Sequence, residues 1–312
     1  MNTMVCQMDE NVIVCENITK DFGYQRGVFD VSFSVKRSEA FGFVGENGAG
    51  KTTIIRQIMG FVAPDKGKIT IEGKDAFNDA PEIKKYVGYV PGEIALPPLK
   101  TGTEVLNSQM ELLGIKDSSR ADELIKELQL NIKAYPKRMS KGMKQKMALV
   151  MALMGDPDNL ILDEPMNGLD PLMHNEFMDI LLREKSRGKT ILISSNSYDE
   201  LETLCDTVAL ISKGRIVSVA DVNLLKSRTF ILYKIEFNNR DDYESFKGND
   251  FFEITRIQEQ YLQYSIKIER SNLNRLFEVL SDKDVKFIAE IPYDLETYLL
   301  ETGKGEDNGQ NE

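Results

Sequence analysis

Apolar residues in the first two thirds of the chain occur in short continuous runs that alternate with stretches of helical spacing. Over residues 12–219 this gives β-rich and helical segments in turn, the order that produces a parallel sheet covered by helices. Buried strands are predicted at 40–44, 160–162 and 190–194, and a helix at 52–59. We therefore expect an α/β domain over residues 1–224.

Three longer segments with helical spacing lie between the first of these strands and the second. They cover residues 103–113, 118–130 and 141–154. Each is long enough to form a stable helix when it packs on its neighbours. The sequence therefore predicts a helical subdomain at about residues 95–155, beside the sheet.

The pattern changes after residue 226. Strands are predicted at 230–237, 251–257, 261–268 and 285–291, and helices at 241–247 and 273–280. This β-α-β-β-α-β order is that of a small α+β, ferredoxin-like domain, which we place at residues 228–301. Residues 302–312 are rich in Gly, Asn, Gln and acidic side chains, so a disordered tail is expected there.

Composition narrows the class of protein. The longest apolar run, residues 147–154, is far shorter than the roughly 20 residues that span a bilayer, and the first residues lack the pattern of a secretion signal. We therefore expect a cytoplasmic protein. The formal charge of -11 argues against a broad phosphate-binding face, so no nucleic-acid partner is expected.

The strongest chemical signal is the stretch G-E-N-G-A-G-K-T-T, which matches the phosphate-binding loop pattern between a predicted strand and a predicted helix. Backbone N–H groups of such a loop surround phosphates, and the following helix directs its positive end at the same anion. The motif alone does not separate ATP from GTP. The predicted nucleotide contacts are Gly45, Glu46, Asn47, Gly48, Ala49, Gly50, Lys51, Thr52 and Thr53.

Two carboxylates follow the buried strand at 160–162. Asp163 can hold Mg²⁺ together with the Thr52 hydroxyl, and Glu164 can act as general base toward an attacking water. An isolated Asp-Glu pair after a strand more often starts a loop or caps a helix. The phosphate-binding loop upstream favours the catalytic interpretation, in which Lys51 contacts the β and γ phosphates.

With these two motifs in place, the chain resembles the ATP-binding subunits of ABC transporters over residues 12–219. The stretch M-S-K-G-M-K-Q resembles the family's signature, and N-G-L-D-P resembles its D-loop. The resemblance implies a P-loop ABC ATPase fold with a mixed sheet, and ATP held between two chains. It implies that Ser140, Gly142 and Asp170 act across that interface, although both serine and aspartate also suit helix capping.

Three further positions are assigned through the same resemblance. Phe22 matches the aromatic residue that stacks on adenine, with a core phenylalanine as the alternative. Asn196 stands where the family has a histidine at a strand end. A carboxamide can donate a hydrogen bond to the γ-phosphate but carries no charge, and capping of the following helix is the alternative role. Gly92 falls at or beside the family's glutamine, so Glu93 is considered as a substitute metal ligand.

The C-terminal domain resembles the accessory domain found after the ATPase core in some bacterial drug and antibiotic exporter subunits. The two resemblances together imply the ATP-hydrolysing subunit of an ABC transporter of the exporter type. The resemblance implies a homodimer, or a heterodimer with a second ATPase subunit, bound to separate membrane-spanning subunits at the inner face of the cell membrane. ATP and Mg²⁺ are the expected ligands. Two alternatives stay open at this point: a soluble ABC ATPase acting on ribosomes or nucleic acid, and an ATP-binding switch with little hydrolysis.

Overall fold

The computed structural model describes residues 10–307. Its strands are β1 Asn11–Asp21, β2 Gly27–Lys36, β3 Ala40–Val44, β4 Lys66–Ile71, β5 Lys74–Asp75, β6 Val87–Val90, β7 Asn159–Asp163, β8 Thr190–Ser195, β9 Thr207–Ser212, β10 Arg215–Asp221, β11 Phe230–Phe237, β12 Glu253–Gln258, β13 Gln263–Glu269 and β14 Val285–Ile291. Its helices are α1 Lys51–Ile58, α2 Ala80–Ile83, α3 Gly102–Leu113, α4 Ser119–Glu127, α5 Lys141–Leu153, α6 Pro171–Ser186, α7 Tyr198–Leu204, α8 Val222–Lys226, α9 Arg240–Phe246, α10 Leu273–Leu280 and α11 Leu295–Asp307. The chain divides into two compact units between Val222 and Asn223.

The first unit is built around a six-stranded sheet with the order β10-β9-β3-β8-β7-β6. The five strands from β9 to β6 are parallel, and β10 pairs with β9 in the antiparallel sense. Every residue of β3, β7 and β8 is buried. Because parallel strands end at the same edge of a sheet, the loops after β3, β7 and β8 lie next to one another, where α/β proteins bind ligands.

A second, antiparallel sheet with the order β2-β1-β4-β5 belongs to the same unit. The apolar runs predict a parallel sheet and miss this second sheet. The mixed sheet that the family resemblance implies is confirmed, since β10 is antiparallel to β9. The strands β1 and β2 form a hairpin with several register shifts, and only a third of their residues are buried, so their sequences are not continuous apolar runs. Phe33 of β2 joins the two sheets, since its ring lies 5.4 Å from that of Phe41 and 4.9 Å from that of Phe43.

The helices α3, α4 and α5 occupy the region predicted as a helical subdomain. The Thr101 side chain caps α3 by accepting from the N–H of Glu104, and Ser140 caps α5 in the same way. The helix α4 ends at Glu127, three residues earlier than predicted. The helix α5 is buried along its second half, as its apolar sequence requires.

The second unit contains one antiparallel sheet with the order β12-β13-β11-β14. Its element order is the β-α-β-β-α-β order predicted from the sequence, with the helices α9 and α10 as the two long connections. Its core is aromatic: the rings of Tyr243 and Tyr264 stack at 4.4 Å, and Phe246 lies 5.2 Å from Phe237. Leucine and isoleucine side chains complete this core.

The prediction of a disordered tail from residue 302 is wrong for residues 302–307, which continue α11. Asp294 caps this helix by accepting from the N–H of Thr297, and Leu295 and Leu299 are buried. A helix started in this way extends through polar residues because each further residue adds a hydrogen bond. Residues 308–312 lie outside the described part of the chain. Within residues 10–307, no helix is both long and apolar enough to cross a membrane.

Candidate functional site

The loop between β3 and α1 has a backbone that only glycine adopts readily. Gly45, Gly48 and Gly50 have φ angles of 155°, 84° and 117°. A Cβ atom on Gly45 would lie 2.3 Å from the carbonyl oxygen of Ile211 in β9. The glycines therefore let the loop curve tightly and lie directly against the neighbouring strand.

Two other glycines complete the surroundings of this loop. A Cβ atom on Gly50 would lie 3.3 Å from the carbonyl oxygen of Gly27 and 3.4 Å from the Cα of Gly214. A Cβ atom on Gly214 would itself lie 2.4 Å from that carbonyl oxygen. Three backbone segments thus approach one another closely here, with the side chains of Val28 and Phe29 beside them.

Lys51, the first residue of α1, is only 3% exposed. Its Nζ donates to the carbonyl oxygens of Gly45 at 2.5 Å and Glu46 at 3.3 Å. The same atom lies 3.3 Å from Oε1 of Glu164, which follows β7. A buried ammonium is costly unless it is paired, and here one carboxylate and two carbonyls surround it.

Asp163 ends β7 and is almost completely buried. Its Oδ1 accepts hydrogen bonds from Oγ1 of Thr52 at 3.1 Å and from Oγ of Ser194 at 2.7 Å. Its Oδ2 is buried and has no hydrogen-bond partner within residues 10–307. Burial raises the pKa of the Asp163 carboxyl, and the two hydroxyl donors oppose that rise only in part.

Glu164 has a left-handed backbone with a φ angle of 46°. Its N–H donates to both the carbonyl oxygen and the hydroxyl of Ser194, at 3.1 and 3.0 Å. Its Oε2 accepts from the Asn167 side chain at 3.0 Å, while Oε1 faces Lys51. The position of Glu164 is therefore fixed by contacts of its backbone N–H and of both its carboxylate oxygens.

Thr52, Asp163, Glu164 and Asn167 line one cleft of about 680 Å³, and the buried Lys51 is not among its lining residues. Of the residues predicted from sequence, the cleft is lined by Asn47, Gly48, Thr52, Glu93, Asp163 and Glu164. Its cationic lining residues are Arg56, Lys141 and Lys144. Within the described residues, no group of three or more His, Cys, Asp or Glu side chains could hold a metal ion unaided. Any metal here would need ligands from hydroxyls or from a bound molecule.

Ser140, Gly142 and Asp170 are not among the residues that line this cleft. Ser140 and Asp170 are exposed helix caps, which accept from the N–H groups of Met143 at 3.2 Å and Met173 at 3.0 Å. Both capping roles considered from the sequence therefore occur in the structure.

The structure excludes the alternative assignments of Phe22 and Asn196. Phe22 is 50% exposed, so it is not a core residue. Asn196 is exposed and does not cap the helix after it, because Ser197 does so by accepting from the N–H of Glu200 at 3.4 Å. The capping alternative for Asn196 is therefore wrong, and the sequence does not exclude it because asparagine and serine both suit the N-cap position.

Two residues of this site have no assigned role in the sequence analysis. Ser194 contacts both carboxylate residues that follow β7, and Asn167 orients Glu164. The signal for Ser194 was a hydroxyl near the end of an otherwise apolar strand, where a buried polar group needs a partner. Nothing in its local sequence identifies that partner.

The comparisons with known proteins agree with this geometry. Residues 28–167 match the family model described as ABC transporter. The chain is 32% identical over 295 residues to the bacitracin transport ATP-binding protein of Bacillus licheniformis, covering 93% of this chain and 96% of that protein. It is 35% identical over 222 residues to the linearmycin resistance ATP-binding protein of Bacillus subtilis strain 168, covering 70% and 71% of the two chains.

Solved structures give the same result for the first unit. An ATP-binding subunit of an ABC transporter is 29% identical, with a TM-score of 0.64 over 69% of this chain and 92% of that one. A dimeric ATP-binding cassette in a post-hydrolysis state, bound to ADP and Pi, shares the fold at 20% identity, with a TM-score of 0.60 over 67% and 98% of the two chains. The chain therefore belongs to the ATP-binding proteins of the ABC transporter family.

Proposed function

We propose that this chain is the ATP-hydrolysing subunit of an ABC exporter, and that it works as a dimer on separate membrane-spanning subunits. The observation that carries the proposal is the buried cluster in which Lys51 and Thr52, after β3, contact the carboxylates of Glu164 and Asp163, after β7. The export direction is supported by the names of relatives, which include a bacitracin transport protein and a Nod factor export protein.

ATP binds with its phosphates against the loop between β3 and α1. The residues from Gly45 to Thr53 supply N–H groups, and Lys51 supplies a positive charge at the head of α1. Phe22 is exposed in the β1–β2 hairpin, whose Gly27 lies against Gly50 of this loop. This position supports its proposed stacking on the adenine ring.

The site fits a Mg²⁺ ion bound together with the nucleotide. Oδ2 of Asp163 is a buried oxygen without a partner in the described residues, and the Thr52 hydroxyl lies beside the same carboxylate. Gly92 lies close to this oxygen, because a Cβ atom there would approach it to a tight 3.1 Å, so the lack of a side chain keeps this side of the oxygen open. Thr52 and Asp163 would hold the ion, with Glu93 on the exposed side of the cleft. The ion would neutralise charge that develops on the phosphates.

Glu164 is proposed as the general base because its carboxylate is oriented by Lys51 and Asn167 and remains partly exposed to the cleft. It would accept a proton from the attacking water. Asn196 would donate a hydrogen bond to the γ-phosphate without supplying charge. We propose that this replacement slows hydrolysis while leaving ATP binding intact.

Ser140, Gly142 and Asp170 are proposed to contact nucleotide bound by a second subunit. They lie at or beside the first turns of α5 and α6, where backbone N–H groups point outward. The dimeric cassette of the same fold supports this arrangement. The second subunit is either another copy or a related ATPase, and the dimer would sit at the cytoplasmic face of the membrane with its membrane-spanning partners.

The test is Glu164→Gln in the full chain. It should lower ATP turnover by about 10²- to 10³-fold, because a positioned general base is lost, and should trap a dimer at saturating ATP. Glu127→Gln, which alters a surface ion pair with Arg183, is the control and should leave turnover unchanged. Steady-state hydrolysis and light scattering measure the two effects.

Purification from the native membrane tests the rest of the proposal. A multi-span membrane protein should accompany the tagged chain. Co-purification of ribosomes or DNA in place of a membrane protein would overturn the transport proposal. A Glu164→Gln variant that stays monomeric with ATP and the membrane partner would overturn the dimer proposal.

A further inference from the structure

The single histidine of the chain lies in a hydrogen-bonded chain that leads to the loop containing Asn196. Nε2 of His174, in α6, lies 2.8 Å from Oε1 of Glu200, in α7. Because a carboxylate only accepts, the ring nitrogen is the donor. The other oxygen of Glu200 accepts from Oγ of Ser195 at 2.5 Å. Glu200 therefore contacts α6 with one oxygen and the end of β8 with the other.

The loop itself is held by an unusual form of helix capping. In a capping box, the side chain of the third helical residue accepts from the N–H of the N-cap residue. Here Ser197 is the N-cap and Glu200 is the third residue, but the Glu200 carboxylate contacts Ser195. The Ser195 hydroxyl then accepts from the N–H of Ser197 at 3.0 Å. Both neighbours of Asn196 are thus fixed through Glu200.

The other end of this chain is the first turn of α6. The N–H of His174 donates to the carbonyl oxygen of Asp170, the cap of that helix, at 2.9 Å. The His174 and Glu200 side chains are only 32% and 15% exposed, and Ser195 is buried. Partial burial makes a charge-assisted hydrogen bond stronger than one in water. The contacts therefore join Asp170 to the surroundings of Asn196 without a break.

We propose that His174 is a positioning residue for ATP hydrolysis, which through Glu200 fixes the loop carrying Asn196 to the helix that begins at Asp170. This inference rests on the proposed function, because it gives that loop a role in turnover. If a second subunit contacts the segment at Asp170, movement of α6 changes the position of Asn196. His174 then couples subunit contact to the catalytic geometry.

Two substitutions distinguish this role from a general effect on packing. The side-chain nitrogen of glutamine reaches as far as Nε2 of histidine, whereas that of asparagine reaches only as far as Nδ1. His174→Asn should lower kcat about tenfold and leave KM for ATP within about twofold. The substitution disturbs the loop that carries Asn196 but leaves the contacts with the nucleotide in place. His174→Gln should keep most of the turnover. Arg183→Gln, on the same helix but in a surface ion pair with Glu127, should change neither parameter.

Hydrogen exchange of residues 195–200 in the nucleotide-free protein gives a readout that does not depend on activity. Exchange should be faster in His174→Asn than in His174→Gln. If His174→Asn does not fold, Glu200→Gln, which weakens the same contact, should show the same loss of kcat at unchanged KM. Equal kcat in the natural protein and in both His174 variants would overturn the inference. An equal loss of kcat in His174→Asn and His174→Gln would overturn it as well.

The failure of the proposed function gives a different result. A natural protein that binds ATP but shows no turnover with its membrane partners contradicts the proposed function. In that case, faster hydrogen exchange of residues 195–200 in His174→Asn but not in His174→Gln still supports the proposal that the contact of His174 with Glu200 fixes this loop. Unchanged exchange in both variants overturns it.

Discussion

The two units of the chain differ in how many polar side chains they bury. In the described part of the chain, the first unit buries ten polar or charged residues. Asp163, Ser194 and Ser195 lie at the C-terminal ends of β7 and β8, and Lys51 begins the helix after β3. The other six lie in helices or at and just before the starts of β7 and β8. Among the described residues of the second unit, Gln263 is the only buried polar one. The core of this unit consists instead of aromatic and aliphatic side chains. Buried polar groups are costly to maintain, and the four at the C-terminal edge of the sheet lie at the candidate ATP site.

Substitutions in the two units should therefore have separable effects on function and on stability. Changes at the sheet edge should alter ATP binding and turnover with little effect on folding, while changes in the aromatic core should alter stability alone. The following predictions test this separation, beginning with the largest expected change in free energy.

Phe246→Ala should destabilise the second unit by about 3–5 kcal/mol, because it removes a fully buried ring that packs on Phe237 and Phe252. Hydrogen exchange in β11 and β13 would measure the loss, and titration with Mg·ATP should show unchanged affinity. Phe277→Ala removes a half-exposed ring of the same unit and should cost much less. A loss of ATP affinity in Phe246→Ala would contradict the separation.

Lys51→Ala should weaken ATP binding by about 2 kcal/mol, roughly 30-fold in Kd, because a charge-assisted contact with the phosphates is lost. Equilibrium titration of the folded variant measures this. Lys185→Ala is the matched control, since Lys185 is also partly buried and paired, with Asp206, but stands outside the loop. Unchanged Mg·ATP affinity in Lys51→Ala would contradict the assignment of the phosphate site.

Asn196→His should raise kcat about tenfold at similar KM, because an imidazole can carry a proton beside the γ-phosphate and a carboxamide cannot. The exposed position of Asn196 gives the larger ring room. Steady-state turnover of both proteins with their membrane subunits is the measurement. Slower turnover in the histidine variant would show that asparagine is the adapted residue.

Asp163→Asn should stabilise the nucleotide-free protein by about 1 kcal/mol at pH 7 while impairing Mg²⁺-dependent ATP binding. The pKa of Asp163 is raised by burial, so the folded protein binds this proton more tightly than the unfolded chain does. Stability is therefore lost as the pH rises from the ordinary carboxyl pKa through the raised one. The difference in melting temperature should shrink at low pH. Asp117→Asn, at a carboxyl whose pKa is lowered by bonds from Ser119, should give no gain at pH 7.

The sequence predicts the local parts of the site well and their mutual contacts poorly. The strand β3 has the predicted bounds, β7 extends one residue further at both ends, and β8 extends one residue further at its C-terminal end, because each is an apolar run with clear limits. Thr52 and Asp163 are 111 residues apart, and their contact follows from the order of strands in the sheet. The predicted roles of the site residues stay predictions until they are tested by substitution.

Other parts of the fold were not predictable from local patterns. The stretch S-S-N-S at the end of β8 offers four residues suited to capping, so sequence alone selects none of them. The antiparallel sheet was missed because its strands alternate irregularly between buried and exposed positions. The contact of His174 with Glu200 depends on how α6 and α7 pack, which no local motif encodes.

The meeting of Gly27, Gly50 and Gly214 bears on how this protein becomes competent to bind its ligand during folding. These glycines come from distant parts of the first unit, yet each limits the path of the others. We therefore expect the phosphate-binding loop to be held in this shape only when the β1–β2 hairpin and the β9–β10 turn pack against it, through contacts between residues far apart in sequence. A nascent chain that ends before Gly214 carries the complete motif but lacks the backbone that holds it. Nucleotide binding thus reports completed folding of the whole unit, and bound ATP stabilises that unit against unfolding as a single body.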